Sequence, residues 1–201
     1  FEQVAALADE YLRAAPDDAE LLLLQGNALS ELGRIPEAIS AMEKALALRP
    51  DDPSVCNNLG YFYADRGVEL AKAERLIRKA LAARATEAAF LDSLGWVFYK
   101  QGRFREAVSV FETVLTQMDD QKDSPVIYDH AGDAYWRDGQ KDRAISAWKK
   151  AVELAEKDKS KSSEVETLRK LVPAKLQAAA SGKAPTPAPL GEGVKDNPSP
   201  R

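Results

Sequence analysis

FLDSLGWVFYKQGRFREAVSVF, residues 90–111, is followed after a loop by YDHAGDAYWRDGQKDRAISAW, residues 128–148. The two passages carry one pattern. Leu91, Leu94, Gly95 and Phe98 lead to Ala107, Phe111 and Val114. Tyr128, Ala131, Gly132 and Tyr135 lead to Ala144, Trp148 and Ala151. In each, a large residue is followed four positions on by a small one and three further on by an aromatic. A Gly-containing turn then precedes an alanine with a bulky residue four positions later. Apolar residues spaced by three and four predict two amphipathic helices per passage, and glycine just past the first supplies its stop.

The pattern extends toward the N-terminus. Leu22, Gly26 and Leu29 precede Ala38, Met42 and Ala45; Cys56, Leu59, Gly60 and Tyr63 precede Ala73, Ile77 and Ala80. The four glycines are 34, 35 and 37 residues apart. The units run 19–52, 53–87, 88–124 and 125–158. Gly33 ends the first helix of its unit and Pro36 suits the first turn of the next. Asp52 before Pro53 and Ser124 before Pro125 read as N-caps followed by a first-turn proline, and Thr86 as the N-cap of the third unit. Gly60 to Ala73 is one residue longer than Gly26 to Ala38, which places an insertion at Gly67-Val68-Glu69. After Val114, TQMDDQKDSP adds three residues, as a longer helix or an extended loop.

The ends depart from the pattern. Residues 1–18 read as half a unit, with Val4, Leu7, Ala8, Tyr11 and Leu12 on one face. The chain opens at Phe1 rather than Met, and the matching first helix is expected to precede it. Residues 163–180 predict a capping helix. Its stripe is Val165, Leu168, Leu171, Val172 and Leu176, Ser163 and Glu166 have capping-box spacing, and Pro173 should kink or split it. From Ser181, SGKAPTPAPLGEGVKDNPSPR holds too little apolar surface to offset its ordering entropy and is expected to be a disordered or extended tail, 181–201, acting as a spacer or, alternatively, as a tether or a motif for another protein.

Four helix pairs with glycine and alanine in phase resemble the tetratricopeptide (TPR) repeat family. The resemblance covers most of the chain. It implies an all-α fold, a right-handed α-α superhelix (TPR solenoid) of about four full helix pairs, with the N-terminal half repeat and the C-terminal capping helix at its ends. It also implies that the first helix of each pair lines a concave groove holding a peptide or partner protein. The function it implies is a protein-protein interaction scaffold or adaptor. The alternative is the non-catalytic TPR region of a larger bacterial enzyme or assembly factor. The wording resembles bacterial TPR proteins, which occur in the cytoplasm, the periplasm or at the outer membrane.

On that register the partner-binding residues are Asn27, Asn57, Asn58, Tyr61, Asp92, Trp96, Tyr99, Asp129, Asp133 and Trp136. Tyr61, Trp96, Tyr99 and Trp136 are surplus to the packing aromatics Tyr63, Phe98 and Tyr135, and exposed Trp and Tyr are the usual anchors of protein interfaces. Asp92, Asp129 and Asp133 make the groove acidic, suited to a partner with basic and apolar anchors. Asn27 and Asn58 match the asparagines with which some family members clamp a terminal carboxylate. The basic positions of that clamp are here Leu23, Ala89 and Ser93, and without positive charge the clamp fails.

Composition narrows the remaining classes. The net charge is -4 with both signs interspersed, which gives no footprint for nucleic acid or an anionic membrane. The longest leucine run, Leu21–Leu24, is far short of a membrane span. Cys56 is the single cysteine, so no internal disulfide forms. His130 is the single histidine, with no nucleophile at a recognisable spacing. No phosphate-binding loop or metal-ligand cluster is legible, so neither catalysis nor a cofactor is expected. The open apolar face of residues 1–15 offers a surface for homo-oligomerisation.

Overall fold

The computed structural model describes residues 1–117, 124–159 and 162–194. Ten helices account for most of them, and there is no strand among the described residues. The half unit is α1 (Glu2–Ala14). The four pairs are α2 (Ala19–Glu31) with α3 (Ile35–Leu48), α4 (Pro53–Arg66) with α5 (Leu70–Ala83), α6 (Ala88–Lys100) with α7 (Phe104–Gln117), and α8 (Pro125–Arg137) with α9 (Lys141–Lys157). A final helix, α10 (Ser163–Ala180), lies on α8 and α9.

The glycines set the packing within each pair. A Cβ added at Gly26 would stand 2.7 Å from Met42 Cγ, at Gly60 2.6 Å from Ile77 Cγ1, at Gly95 2.8 Å from Phe111 Cζ, and at Gly132 2.4 Å from Trp148 Cδ1. The bulky residue four positions after each repeat alanine is thus seated on the glycine of the facing helix. Ala38, Ala73, Ala107 and Ala144 are fully buried. The first helix of each pair then packs on both helices of the pair before it: α4 on α2 and α3, α6 on α4 and α5, α8 on α6 and α7. One continuous core runs from Ala5 to Val172. A helix pair cannot bury its own apolar face, and stacking supplies the missing partner.

Several local expectations are corrected. Asp52 caps α4 through Ser54 and Val55 N–H, but α6 begins after Glu87, not Thr86, without a side-chain cap. Ser124 precedes α8, also without a side-chain cap bond. Ser162, not Ser163, is the N-cap of α10, and Glu166 pairs with Arg169 instead of closing a capping box. α10 runs unbroken through Pro173, whose ring is on its exposed side. Its buried stripe is Val165, Leu168, Val172 and Lys175, while Leu171 stays exposed. The stretch expected to carry the three extra residues falls largely on 118–123, outside the described residues. In α1, Ala5 and Ala8 are buried, whereas Val4, Leu7 and Tyr11 are exposed.

Candidate partner-binding groove

α2, α4, α6 and α8 present one wall, and the expected site residues divide along it into two stretches. Asn27, Asn58 and Tyr61 line a hollow of about 360 Å³. Asn57, Asn58, Tyr61 and Asp92 line the next, of about 490 Å³, with Ser93, Val126 and Ile127. Asn27 is exposed, and Asn58 and Tyr61 are half-buried. Asn57 is buried, and its Oδ1 accepts no hydrogen bond among the described residues.

Beyond Asp92 the wall is covered, which corrects the expectation of exposed aromatic anchors. Trp96 is 3 % exposed and Tyr99 fully buried. The Trp96 ring stacks on Tyr99 at 4.8 Å and on His130 at 3.9 Å. Lys100 Nζ lies 5.0 Å from the Trp96 ring and donates to the Asp65 carbonyl. Burial pulls the Lys100 ammonium below its ordinary range, against the nearby charges of Asp65 and Asp133. Trp136 does not join this group. It is half-buried against Trp148, with ring centroids 5.7 Å apart, and Lys141 stands over it.

The acidic face is neutralised from within. Asp92 Oδ1 lies 3.0 Å from His130 Nδ1. Lys175 Nζ, from α10, donates to Asp129 Oδ1 at 2.7 Å and Asp133 Oδ1 at 2.6 Å. Trp148 Nε1 also donates to Asp133. Burial, then the neighbouring Asp133 charge, pushes the Asp129 carboxyl up to about 6, against the pull of Lys175. Burial alone would lower His130; the charge and hydrogen bond of Asp92 outweigh it and leave the imidazole raised. Burial likewise opposes the Lys175 ammonium, and Asp133 and Asp129 overcome it and raise it. The basic and apolar anchor expected of a partner is therefore supplied in this stretch by α10, through Lys175 beside Val172 and Leu168. Among the described residues no group of three or more His, Cys, Asp or Glu side chains is placed to hold a metal ion.

Residues 184–191 run extended over the wall and are not a free spacer; 195–201 lie outside the described residues. Pro185 is buried, and Pro187, Ala188 and Leu190 are half-buried. Ala188 N–H donates to Asp133 Oδ2 at 2.7 Å, and Tyr99 O–H donates to the Ala188 carbonyl. Gly191 N–H donates to the Lys100 carbonyl and Glu192 N–H to the Gly67 carbonyl, both at 2.9 Å. The segment thus crosses the C-terminal ends of α8, α6 and α4 in turn. Between it, α10 and Trp96 remains a cavity of about 390 Å³, lined also by Asp129, His130 and Leu171. The indole N–H of Trp96 finds no acceptor among the described residues.

Sequence reasoning gave no part in the site to His130, Lys175 or the tail. One signal was present. Leu168, Val172 and Lys175 share the buried face of α10 at spacings of four and three, so a lysine occupied an apolar stripe. No helix of the described residues is long and apolar enough to cross a membrane.

Comparison with known proteins agrees with this architecture. A family model described as the cytochrome c-type biogenesis protein H TPR domain matches residues 6–125, and one described as the tetratricopeptide repeat matches 126–158. The TPR repeat-containing protein PA4667 of Pseudomonas aeruginosa is 29% identical over 113 residues, which is 56% of this chain and 19% of that protein. The chain therefore spans about a fifth of the length of this curated relative. TTC0263, a thermophilic TPR protein of Thermus thermophilus, superposes with TM-score 0.69 at 22% identity, covering 86% of this chain and 89% of that one. MamA from AMB-1 superposes with TM-score 0.60 at 25% identity, covering 78% and 90%. MamA of Desulfovibrio magneticus RS-1 gives 0.61 at 21%, covering 79% and 88%. With a family model matching well over half its length and the same solenoid in its structural neighbours, the chain belongs to the tetratricopeptide-repeat family.

Proposed function

We propose that this chain is a protein-protein interaction scaffold whose concave wall holds an extended segment of a partner protein. The observation that carries the reading is the docked tail. The groove takes an extended chain by pairing with both N–H and C=O groups of its backbone, a recurring mode of peptide recognition. In the open stretch, Asn27, Asn58 and Tyr61 line a hollow bordered by Phe1 and Ser162, and Asn57 lies buried beside it. Amide side chains can donate to and accept from a peptide backbone together, and Tyr61 adds contact area at small entropy cost.

The test is affinity capture by the intact chain, with proteins identified by mass spectrometry. Asn58→Ala with Tyr61→Ala should lose the captured protein while helical circular dichroism is kept. Arg75→Ala, an exposed site on α5, should retain it. Equal capture by all three chains would contradict the reading.

A second reading is favoured by the length of the curated relative. Covering 19% of that protein, the chain is equally suited to be the repeat part of a larger assembly factor, recruiting for a domain elsewhere. Recovery of the complete open reading frame tests it; a frame that encodes nothing beyond these repeats would sink it.

A further inference from the structure

The wall that the tail crosses is made of helix ends. The last carbonyls of an α-helix have no intrahelical partner and carry the negative end of the helix dipole. Lys100 is the last residue of α6 and Gly67 the C-cap of α4. Their carbonyls accept from successive tail amides, Gly191 and Glu192. Ala188 uses both of its backbone groups, one on Asp133 and one on Tyr99.

The fit is selective at one position. A Cβ on Gly191 would stand 2.4 Å from Leu70 Cδ1 and 3.1 Å from the carbonyl oxygens of both Gly67 and Lys100. A leucine methyl can swing aside, but two backbone oxygens on packed helices cannot. The one-residue insertion of the second repeat falls here. Gly67 has φ 72° and Glu69 φ 47°, and a Cβ on Gly67 would stand 2.8 Å from Gly191 Cα. Two glycines therefore meet back to back. Upstream, prolines at 185, 187 and 189 hold the segment extended before it docks, which lowers the entropy lost on ordering. The occupant still fills the groove incompletely, since a cavity of about 390 Å³ remains beside Pro187 and Pro189.

We propose that the C-terminal half of the groove selects an extended Ala-Pro-Leu-Gly type of segment, with glycine required where Gly191 lies, and that Ala188–Gly191 is a built-in occupant which a partner segment of that form must displace. This rests on the groove reading given above and adds its ligand pattern and its regulation. A partner with a larger apolar side chain at the Pro187 position, filling that cavity beside Leu171 and Ala174, outcompetes the tail.

The test uses the full chain, its Gly191→Val variant and, independently, Ala188→Pro, which removes the amide that donates to Asp133. Both substitutions lie in the tail, and circular dichroism checks that the helices persist. In the unsubstituted monomer the Ala188, Gly191 and Glu192 amides should resist hydrogen exchange; in G191V the Ala188 and Glu192 amides should exchange freely. A labelled peptide with the sequence of residues 184–194 should bind G191V at least tenfold more tightly than the unsubstituted chain. The same peptide with valine in place of its Gly191 should bind neither. Free exchange of the tail amides in the unsubstituted chain, equal peptide affinity for both proteins, no binding to G191V at millimolar peptide, or protection found only in a dimer would each overturn the proposal. The two readings fail separately. If Asn58 and Tyr61 govern capture while the tail exchanges freely, only the tail proposal falls. If the tail is protected but those substitutions leave capture unchanged, the groove as a partner site falls.

Discussion

Glycine at the helix crossings is the residue on which the repeat depends. Gly132 faces the Trp148 ring at a separation that leaves no room for a methyl group. Gly132→Ala gains helix propensity, yet it forces a rigid indole to move in a packed interior. It should cost about 1–3 kcal/mol, the usual range for overpacking, seen as a lower urea midpoint; an unchanged midpoint would contradict the packing. Trp96 makes the converse case. From the sequence it read as an exposed anchor, because the repeat pattern does not need it. The structure stacks it on Tyr99 and His130, so Trp96→Ala should cost about 3–5 kcal/mol, as other buried aromatic truncations do. A variant whose melting temperature is unchanged would return Trp96 to the surface. Periodicity identifies which face of a helix is used, and it is silent on what else in the chain covers that face.

At the scale of the element, α10 is held by a charge as much as by its apolar stripe. Lys175 is buried opposite Asp129 and Asp133, with Asp92 and His130 behind them and Lys100 across the wall. Removing one partner of a buried ion pair strands the other, at about 3–5 kcal/mol. Lys175→Met should therefore lower stability by that order at pH 8 and loosen the amides of residues 165–180. The loss should shrink at pH 5, where Asp129, at about 6, takes a proton instead. Equal losses at both pH values would count against the pairing.

The same cluster sets a pH dependence. The raised His130 contributes stability that is present below its unfolded value near 6.5 and is lost as pH rises through its folded value. Asp129 acts in the same direction, because the folded protein keeps a proton between pH 3.8 and about 6 that the unfolded chain has released. Opposing them, Glu43, Glu74 and Glu106 are lowered and lose their contribution as pH falls through the carboxylate range. Melting temperature should be higher at pH 6 than at pH 8, and His130→Asn should flatten that difference. A melting temperature that rises from pH 6 to pH 8 would contradict the assignment.

Across the whole molecule, the solenoid was legible because four glycines, four alanines and four bulky residues keep one register through 34 to 37 residues. Each is explained by a contact within its own helix pair. The groove was legible only in part. Asn27, Asn57, Asn58 and Tyr61 could be placed by register, since the wall there is built from consecutive first helices. Trp96, Tyr99, Asp129 and Asp133 could not be understood without α10 and the tail, which come from 40 to 90 residues away in the chain. A Pro-rich segment of low apolar content has no reason to fold alone, and here its order comes from carbonyls left open at the ends of other helices.

That complementarity is most directly tested by through-hydrogen-bond scalar coupling in the isotope-labelled full chain. Correlations from Gly191 nitrogen to the Lys100 carbonyl carbon, and from Glu192 nitrogen to that of Gly67, are the expected result. Tail amides at random-coil shifts with no such correlations would contradict a groove built to seat an extended chain.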